Sequence, residues 1–513
     1  MSAIVERPAT FIRDKAAILK VRDLKNYPRD VPILLILAFC ALMVHGYHPG
    51  VEDAEIYLPG IKKTLNPALY PHNSAFFSSH AHMTLFPNLI AASIRISHLP
   101  VDWALLLWQW FSIFLLLLGC WHLGRLTFRD ALARWGSVAL MAALLTIPVA
   151  GTALYIMDEY LSTRSFSTPA VLFILVNAIE RRFMRALLWA IFAVLIHPLM
   201  AVLGVAYLLL FLWMNRQQPE MLSGSRVEAK SALLLFPFGL FPPVTDAYRE
   251  VLRTRPYFFL LQWRWYEWLG IFAPLALLWL VRWIARNQDR LVLEAMCSAS
   301  VIFGFIFFAL ALIITIPPRL ANFAELQPMR SFHLIYILLF VFLGGLLAQW
   351  ILRDQVWRWA LFFLPLCTGM WYTQRQLFPA TPHVEWPGAT PKNDWIQAFL
   401  WIRQNTPPQA YFAVDPNYMA LPGEDQHGFR AIAERSRLAD LVKDSGAVTM
   451  FPALADTWRE QVRAQQGWKN FQRSDLRRLQ QLFGVDWVVL QRPGVTGLFC
   501  PYQNEAVLVC RLE

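Results

Sequence analysis

The chain has 513 residues, of which 57% are apolar and 16% charged, with a formal net charge of +11 and a mean hydropathy of +0.40. Soluble domains carry about 25% charged residues, so this composition excludes an ordinary soluble fold and points to a polytopic membrane protein. The positive charge is divided among short loops and the C-terminal tail, which suits anionic lipid headgroups and not nucleic acid.

Residues 1–30 are too charged for a signal peptide and read as a cytoplasmic lead-in to the first apolar run. Runs of about 17–25 apolar residues cross a bilayer. The chain predicts about eleven such spans, near 31–47, 103–124, 134–155, 167–180, 187–198, 199–214, 231–245, 266–285, 292–316, 331–350 and 356–374. Arginines and lysines recur in alternate loops, at Arg125/Arg129/Arg134, Arg181/Arg182/Arg185, Arg216/Arg226/Lys230, Arg282/Arg286/Arg290 and Arg353/Arg358. Cytoplasmic loops carry that excess, so the N-terminus is expected inside and the C-terminus outside.

Two regions lie off the spans. The external loop 48–102 is punctuated by prolines and should hold short helices; Leu58, Ile61 and Leu65 share one face and suggest a piece lying along the membrane surface. From about Thr381 apolar density falls. Helices near 392–405, 453–466 and 474–483 and strands near 411–414, 486–491 and 506–511 predict a small α/β domain. The organisation is therefore a cytoplasmic segment 1–30, a transmembrane domain 31–380 and an extracytoplasmic α/β domain 381–513. Cys500 and Cys510 fall in that domain, where an oxidising compartment permits a disulfide but does not demand one.

The polar residues of the external side form four groups: Glu52, Asp53 and Glu55; Asp158 and Glu159; Arg249, Arg253, Arg255 and Arg264; and Arg319 with Arg330. Each alone reads equally well as a solvated loop face, a headgroup contact or, for the last two arginines, a pair with Glu325. Together on one side they suggest more. Guanidinium forks bind phosphate oxygens, and a nearby carboxylate can take a proton from a hydroxyl. Histidines cluster in the first loop, but no cysteine or tight carboxylate group completes a metal site. There is no P-loop, GxSxG or CxxC, which argues against nucleotide hydrolysis and serine or thiol chemistry.

With these residues in place, the layout resembles the GT-C class of integral membrane glycosyltransferases. The stretches EDAEIYLPGIKKTLNPALYPHNSAFF, DEYLSTRSFSTP, HPLMA, LQPMRSF, WIRQNTPPQAYFAV and FRAIAERSRLADLVKD are similar to segments of largely uncharacterised bacterial members. The resemblance implies a GT-C-like helical fold in a bacterial inner membrane. It implies inverting transfer of a sugar from a polyprenyl-phosphate donor to a lipid, polysaccharide or protein acceptor on the outer face. Carried over by position, the catalytic carboxylate is Asp53, with Glu52 competing and Asp158 as a second acidic site. The donor phosphate falls to Arg330, Arg319, Arg164 and Arg255, and the substrate cavity to Glu55, Glu159, Tyr57 and His197. No Asp-x-Asp follows Glu52-Asp53, so no cofactor is expected and a divalent metal is the less favoured alternative. Two other classes stay open: a transporter or flippase for a lipid-linked or anionic solute, and a non-catalytic component of an envelope-polysaccharide assembly.

Overall fold

The computed structural model describes residues 27–216, 245–316 and 318–512. All but the last residue of the expected span 231–245, with Arg226 and Lys230, lies outside the described residues, as does the side chain of Arg319.

Helix α1 (Tyr27–His45) leads into three short helices, α2 (Ala54–Leu65), α3 (Ala75–Met83) and α4 (Phe86–Ser97). Apolar helices follow: α5 (Val101–Thr127), α6 (Ala131–Ala143), α7 (Arg164–Ile179), α8 (Phe183–Ile196) and α9 (Pro198–Met214). After α10 (Asp246–Arg253) come α11 (Trp265–Asn287), α12 (Leu291–Thr315), α13 (Phe332–Leu347) and α14 (Val356–Leu377). Among the described residues, four helical stretches are long and apolar enough to cross a membrane: Val101–Thr127, Trp265–Asn287, Leu291–Thr315 and Phe323–Leu352. Four shorter apolar helices (α6 to α9) accompany them, so by length and composition the described residues support fewer spans than the eleven expected. Large apolar side chains point outward along α8, α11 and α14; Leu188, Trp283 and Leu361 are all about two-thirds exposed. A water-facing surface of that kind would aggregate, whereas lipid accepts it. This is a membrane protein.

The helices are brought close by glycine. A Cβ on Gly136 of α6 would lie 2.4 Å from the Gly344 carbonyl oxygen of α13, and one on Gly344 would lie 2.4 Å from the Gly136 oxygen. Small residues that let backbones touch are the usual device for helix association in lipid.

One expected span is corrected. The run 134–155 is helical only to Ala143, because Pro148 lacks the amide a helix needs and the chain turns back on itself, Val149 N–H donating to the Leu154 carbonyl at 2.8 Å. Gly151 lies against the Trp263 ring, where a Cβ would meet it at 2.7 Å. The resulting irregular segment, 144–163, is mostly buried and carries Asp158 and Glu159.

The tail contains α15 (Asp394–Asn405), β1 (Tyr411–Val414), α16 (Phe429–Ala433), β2 (Ser436–Arg437), α17 (Asp444–Met450), α18 (Ala455–Ala464), α19 (Arg473–Phe483), β3 (Trp487–Gln491), β4 (Phe499–Gln503) and β5 (Val507–Arg511). Its sheet runs β2-β1-β3-β5-β4, parallel at β2/β1/β3 and antiparallel at β3/β5/β4. Cys500 of β4 and Cys510 of β5 are joined in a disulfide.

The first loop does not lie free on a membrane surface at α2. Leu58 and Ile61 are buried with Phe86, Ile90, Phe166 and Ala431, so α2 is held between the helical body and the tail. Lys62 of α2 donates to the Ala431 carbonyl at 2.7 Å and pairs with Glu434 at 2.8 Å. Backbone bonds add to the seam: Gly428 N–H donates to Gly50 O at 2.7 Å and Glu52 N–H to Gln426 O at 3.1 Å.

Candidate active site

Where α2 begins, Glu52 has φ 54°, a left-handed conformation that costs a non-glycine residue about 1–2 kcal/mol. That turn sets Asp53 at the N-cap position of α2, yet its side chain caps nothing. The carboxylate instead faces a cavity of about 120 Å³, where the positive end of the helix favours its charge.

The cavity takes its walls from seven separate parts of the chain: Asp53 and Tyr57 of α2, His80 of α3, Arg164 at the start of α7 and His197 before α9, then Arg255, Arg330 and, from the tail, Lys443. Of the residues singled out in the sequence, Asp53, Tyr57, Arg164, His197, Arg255 and Arg330 therefore meet at one place.

Three carboxylates are tied here by two cations. The Lys443 ammonium bonds the Glu52 carboxylate and lies 3.2 Å from Asp53 Oδ1. The Arg164 guanidinium donates to Asp158 Oδ2 from Nε at 3.1 Å and from Nη2 at 2.8 Å, and its Nη2 lies 3.5 Å from Asp53 Oδ2. Ser162 completes the Asp158 shell, donating at 2.8 Å. Burial would raise the Asp53 carboxyl, but Lys443 and Arg164 outweigh it and hold the group well below the usual carboxylate range. Asp53 is thus ionised and, in this state, a weak base. Glu52 and Asp158 stand one cation behind the cavity wall.

Two arginines face the cavity without a carboxylate partner among the described residues. Arg330 makes no side-chain hydrogen bond there, and its Nε is buried. Arg255 donates to the Val442 carbonyl and, at 2.8 Å, to Ser445 Oγ, with its Nε unpaired. It reaches them across Gly446, where a Cβ would meet Arg255 Nη2 at 2.7 Å. Four cations against three carboxylates leave the site positive, and an uncompensated guanidinium pair in a cleft is an anion site.

Two expected cavity residues are placed elsewhere. Glu55 is fully buried on the other side of α2, accepting from Arg437 Nε at 3.0 Å, Arg430 Nη1 at 3.4 Å and the Ala431 amide at 3.0 Å. Positions 53 and 55 are about 200° apart on a helix, so a helix that aims one carboxylate at the cavity turns the other away. Glu159 points into the protein next to Asp158; burial, then the Asp158 charge, pushes its carboxyl up to about 8. His80 is neutral, since burial pushes it down to about 4 and Asp53 only partly offsets that. Among the described residues no group of three or more His, Cys, Asp or Glu is placed to hold a metal ion.

Lys443 was not among the sequence candidates. It sits at the end of FRAIAERSRLADLVKD, where it was not singled out from its neighbours, in a turn braced by Arg430 pairing bidentately with Asp444 at 2.8 Å and by Arg437 pairing with Asp440.

Fold and site together define a polytopic helical membrane protein whose C-terminal mixed-sheet domain closes a cationic cavity containing one ionised carboxylate. No protein-family model and no curated protein sequence matches the chain. Among solved structures it is similar to the crystal structure of the Archaeoglobus fulgidus oligosaccharyltransferase in the apo form. The similarity spans 91% of this chain and 70% of that one, at 12% identity and a TM-score of 0.37.

Proposed function

We propose that this protein is a glycosyltransferase that moves a sugar from a polyprenyl-phosphate donor to an acceptor hydroxyl at the outer face of the membrane. One observation carries the reading: Asp53, the one carboxylate among the described residues that line the cavity, shares it with two guanidinium groups, Arg255 and Arg330, that form no ion pair among those residues. A phosphate seated on the arginines leaves its anomeric carbon toward Asp53. The acceptor oxygen then bonds that carbon from the face opposite the phosphate as the carbon–phosphate-oxygen bond breaks. The electron pair leaves on the phosphate, the hydroxyl proton passes to Asp53, and the configuration inverts. Arg164 and Asp158 fix the position of Asp53, while Tyr57 and His197 line the sugar's space.

The test uses purified protein in lipid nanodiscs with a panel of polyprenyl-phosphate sugars and a membrane extract as acceptor source, with loss of each donor followed by mass spectrometry. Wild type should consume one donor class, and Asp53→Asn should lower the rate by about 10²-fold or more. Equal consumption by both forms would remove Asp53 from the mechanism; no consumption and no binding of any donor would remove the function.

A further inference from the structure

A cavity that keeps its base clamped between two cations needs something to release it. Lys443 is the cation placed to do so. Its ammonium ends a flexible four-carbon stem, lies on the cavity wall and bonds two carboxylates at once, Glu52 and Asp53. Arg164, by contrast, is anchored by two bonds to Asp158 and has little freedom to leave. The turn that carries Lys443 also holds Arg255 through the Val442 carbonyl and Ser445, so an anion drawn to Arg255 arrives beside Lys443.

We propose that the C-terminal domain completes the donor site through Lys443, whose ammonium exchanges Asp53 for the incoming phosphate. Lys443 is paired with Glu52 and Asp53. When a phosphate occupies Arg330 and Arg255, the ammonium turns to the phosphate oxygens and Asp53 loses its strongest neutralising partner. The carboxylate becomes a better base only when a donor is present, which protects the site from idle chemistry. No atom is transferred in this step: one ion pair is exchanged for another, and Glu52 tethers the lysine through both. The inference rests on the proposed donor, and it assigns Lys443 as a positioning residue for Asp53 and a ligand for the phosphate.

A double-mutant cycle tests it. The probe is polyprenyl phosphate, titrated into nanodiscs holding wild type, Asp53→Asn, Lys443→Met and the double variant, with inorganic phosphate as a headgroup-only control. If phosphate and Asp53 compete for Lys443, Asp53→Asn tightens binding about tenfold, and the gain disappears when Lys443 is already Met. Lys443→Arg, which keeps the charge, should retain most of the wild-type affinity and guards against loss through misfolding. A gain of equal size in the Lys443→Met background would overturn the exchange, as would Asp53→Asn binding no tighter than wild type. In either case binding by wild type itself would leave the proposed function standing. If wild type fails to bind polyprenyl phosphate at all, the function falls and the exchange falls with it.

Discussion

Glu55→Ala should loosen the tail from the first loop more than any exposed change at the same seam. Glu55 has no solvent access and accepts from two guanidinium groups and an amide, all in α16 or β2 of the tail. Removing it leaves Arg430 with Asp444 alone and Arg437 with Asp440 alone, inside a site closed to water. Breaking a buried ion pair from one side costs about 3–5 kcal/mol. Glu434 offers a comparison: it pairs with Lys62 at 2.8 Å and Arg403 at 3.1 Å but is 14% exposed, so Glu434→Ala should cost about 1 kcal/mol. The assay is limited proteolysis of nanodisc-embedded protein, read as the rate at which the tail is released. Cleavage through an open state tracks its population, so Glu55→Ala should accelerate release by about two to four orders of magnitude and Glu434→Ala by about fivefold. Glu55→Gln, which keeps the bond from the Ala431 amide, should fall between them. Release from Glu55→Ala no faster than from Glu434→Ala would refute the view that this cluster holds the domain in place.

Arg330→Gln should weaken polyprenyl-phosphate binding by about 10- to 100-fold, since hydrogen bonds to charged groups contribute about 1.5–3 kcal/mol; isothermal titration in nanodiscs at two salt concentrations reads it. Glu385 bonds both His48 at 2.8 Å and His427 at 3.0 Å, joining the first loop to the tail. Burial opposes both charges, but His427 and His48 pull the Glu385 carboxyl down to about 2, and Glu385 raises His427 above its ordinary 6.5. The carboxylate's contribution is present above its unfolded value of about 4.5 and fades as pH falls toward 2. The histidine's contribution is present below 6.5 and fades as pH rises through its raised folded value. Thermal stability should therefore peak between about pH 5 and 6.5, and Glu385→Gln should flatten that peak. Cys500→Ser should lower the stability of the tail by about 2 kcal/mol, because the bridge closes a short loop of sequence separation 10; reductant should reproduce the loss in wild type and change nothing in the variant, as followed by tail Trp fluorescence.

Hydropathy located most helices within a few residues, since an apolar run of the right length has few alternatives in lipid. It misplaced the end of α6, because TIPVAG is apolar enough to resemble a span and only Pro148 betrays the turn. In the tail, alternation located β3 and β5, whereas β4 contains Pro501 and exposed residues and gave no strand signal. The charged residues of the cavity were legible as exceptions, acids and arginines at helix ends where neither is cheap. Their division of labour was less so. Asp53 and Glu55 differ only in which side of α2 they occupy, and a helical period applied to this short loop would have separated them. Lys443 lies in a stretch that carried the resemblance, yet nothing there set it apart from its neighbours: its meaning comes from an ion-pair network that spans nearly four hundred positions.

That span of the sequence has a consequence for how the protein is made. The cavity draws on Asp53 near the start of the chain and on Lys443, Gly446 and Met450 near its end. A ribosome that has inserted every apolar helix has still not built the site, because one wall arrives only with the tail. A chain that stops before Lys443 therefore lacks one wall of the cavity, however well its helices assemble. The cavity is complete only where the tail packs against the loop made first.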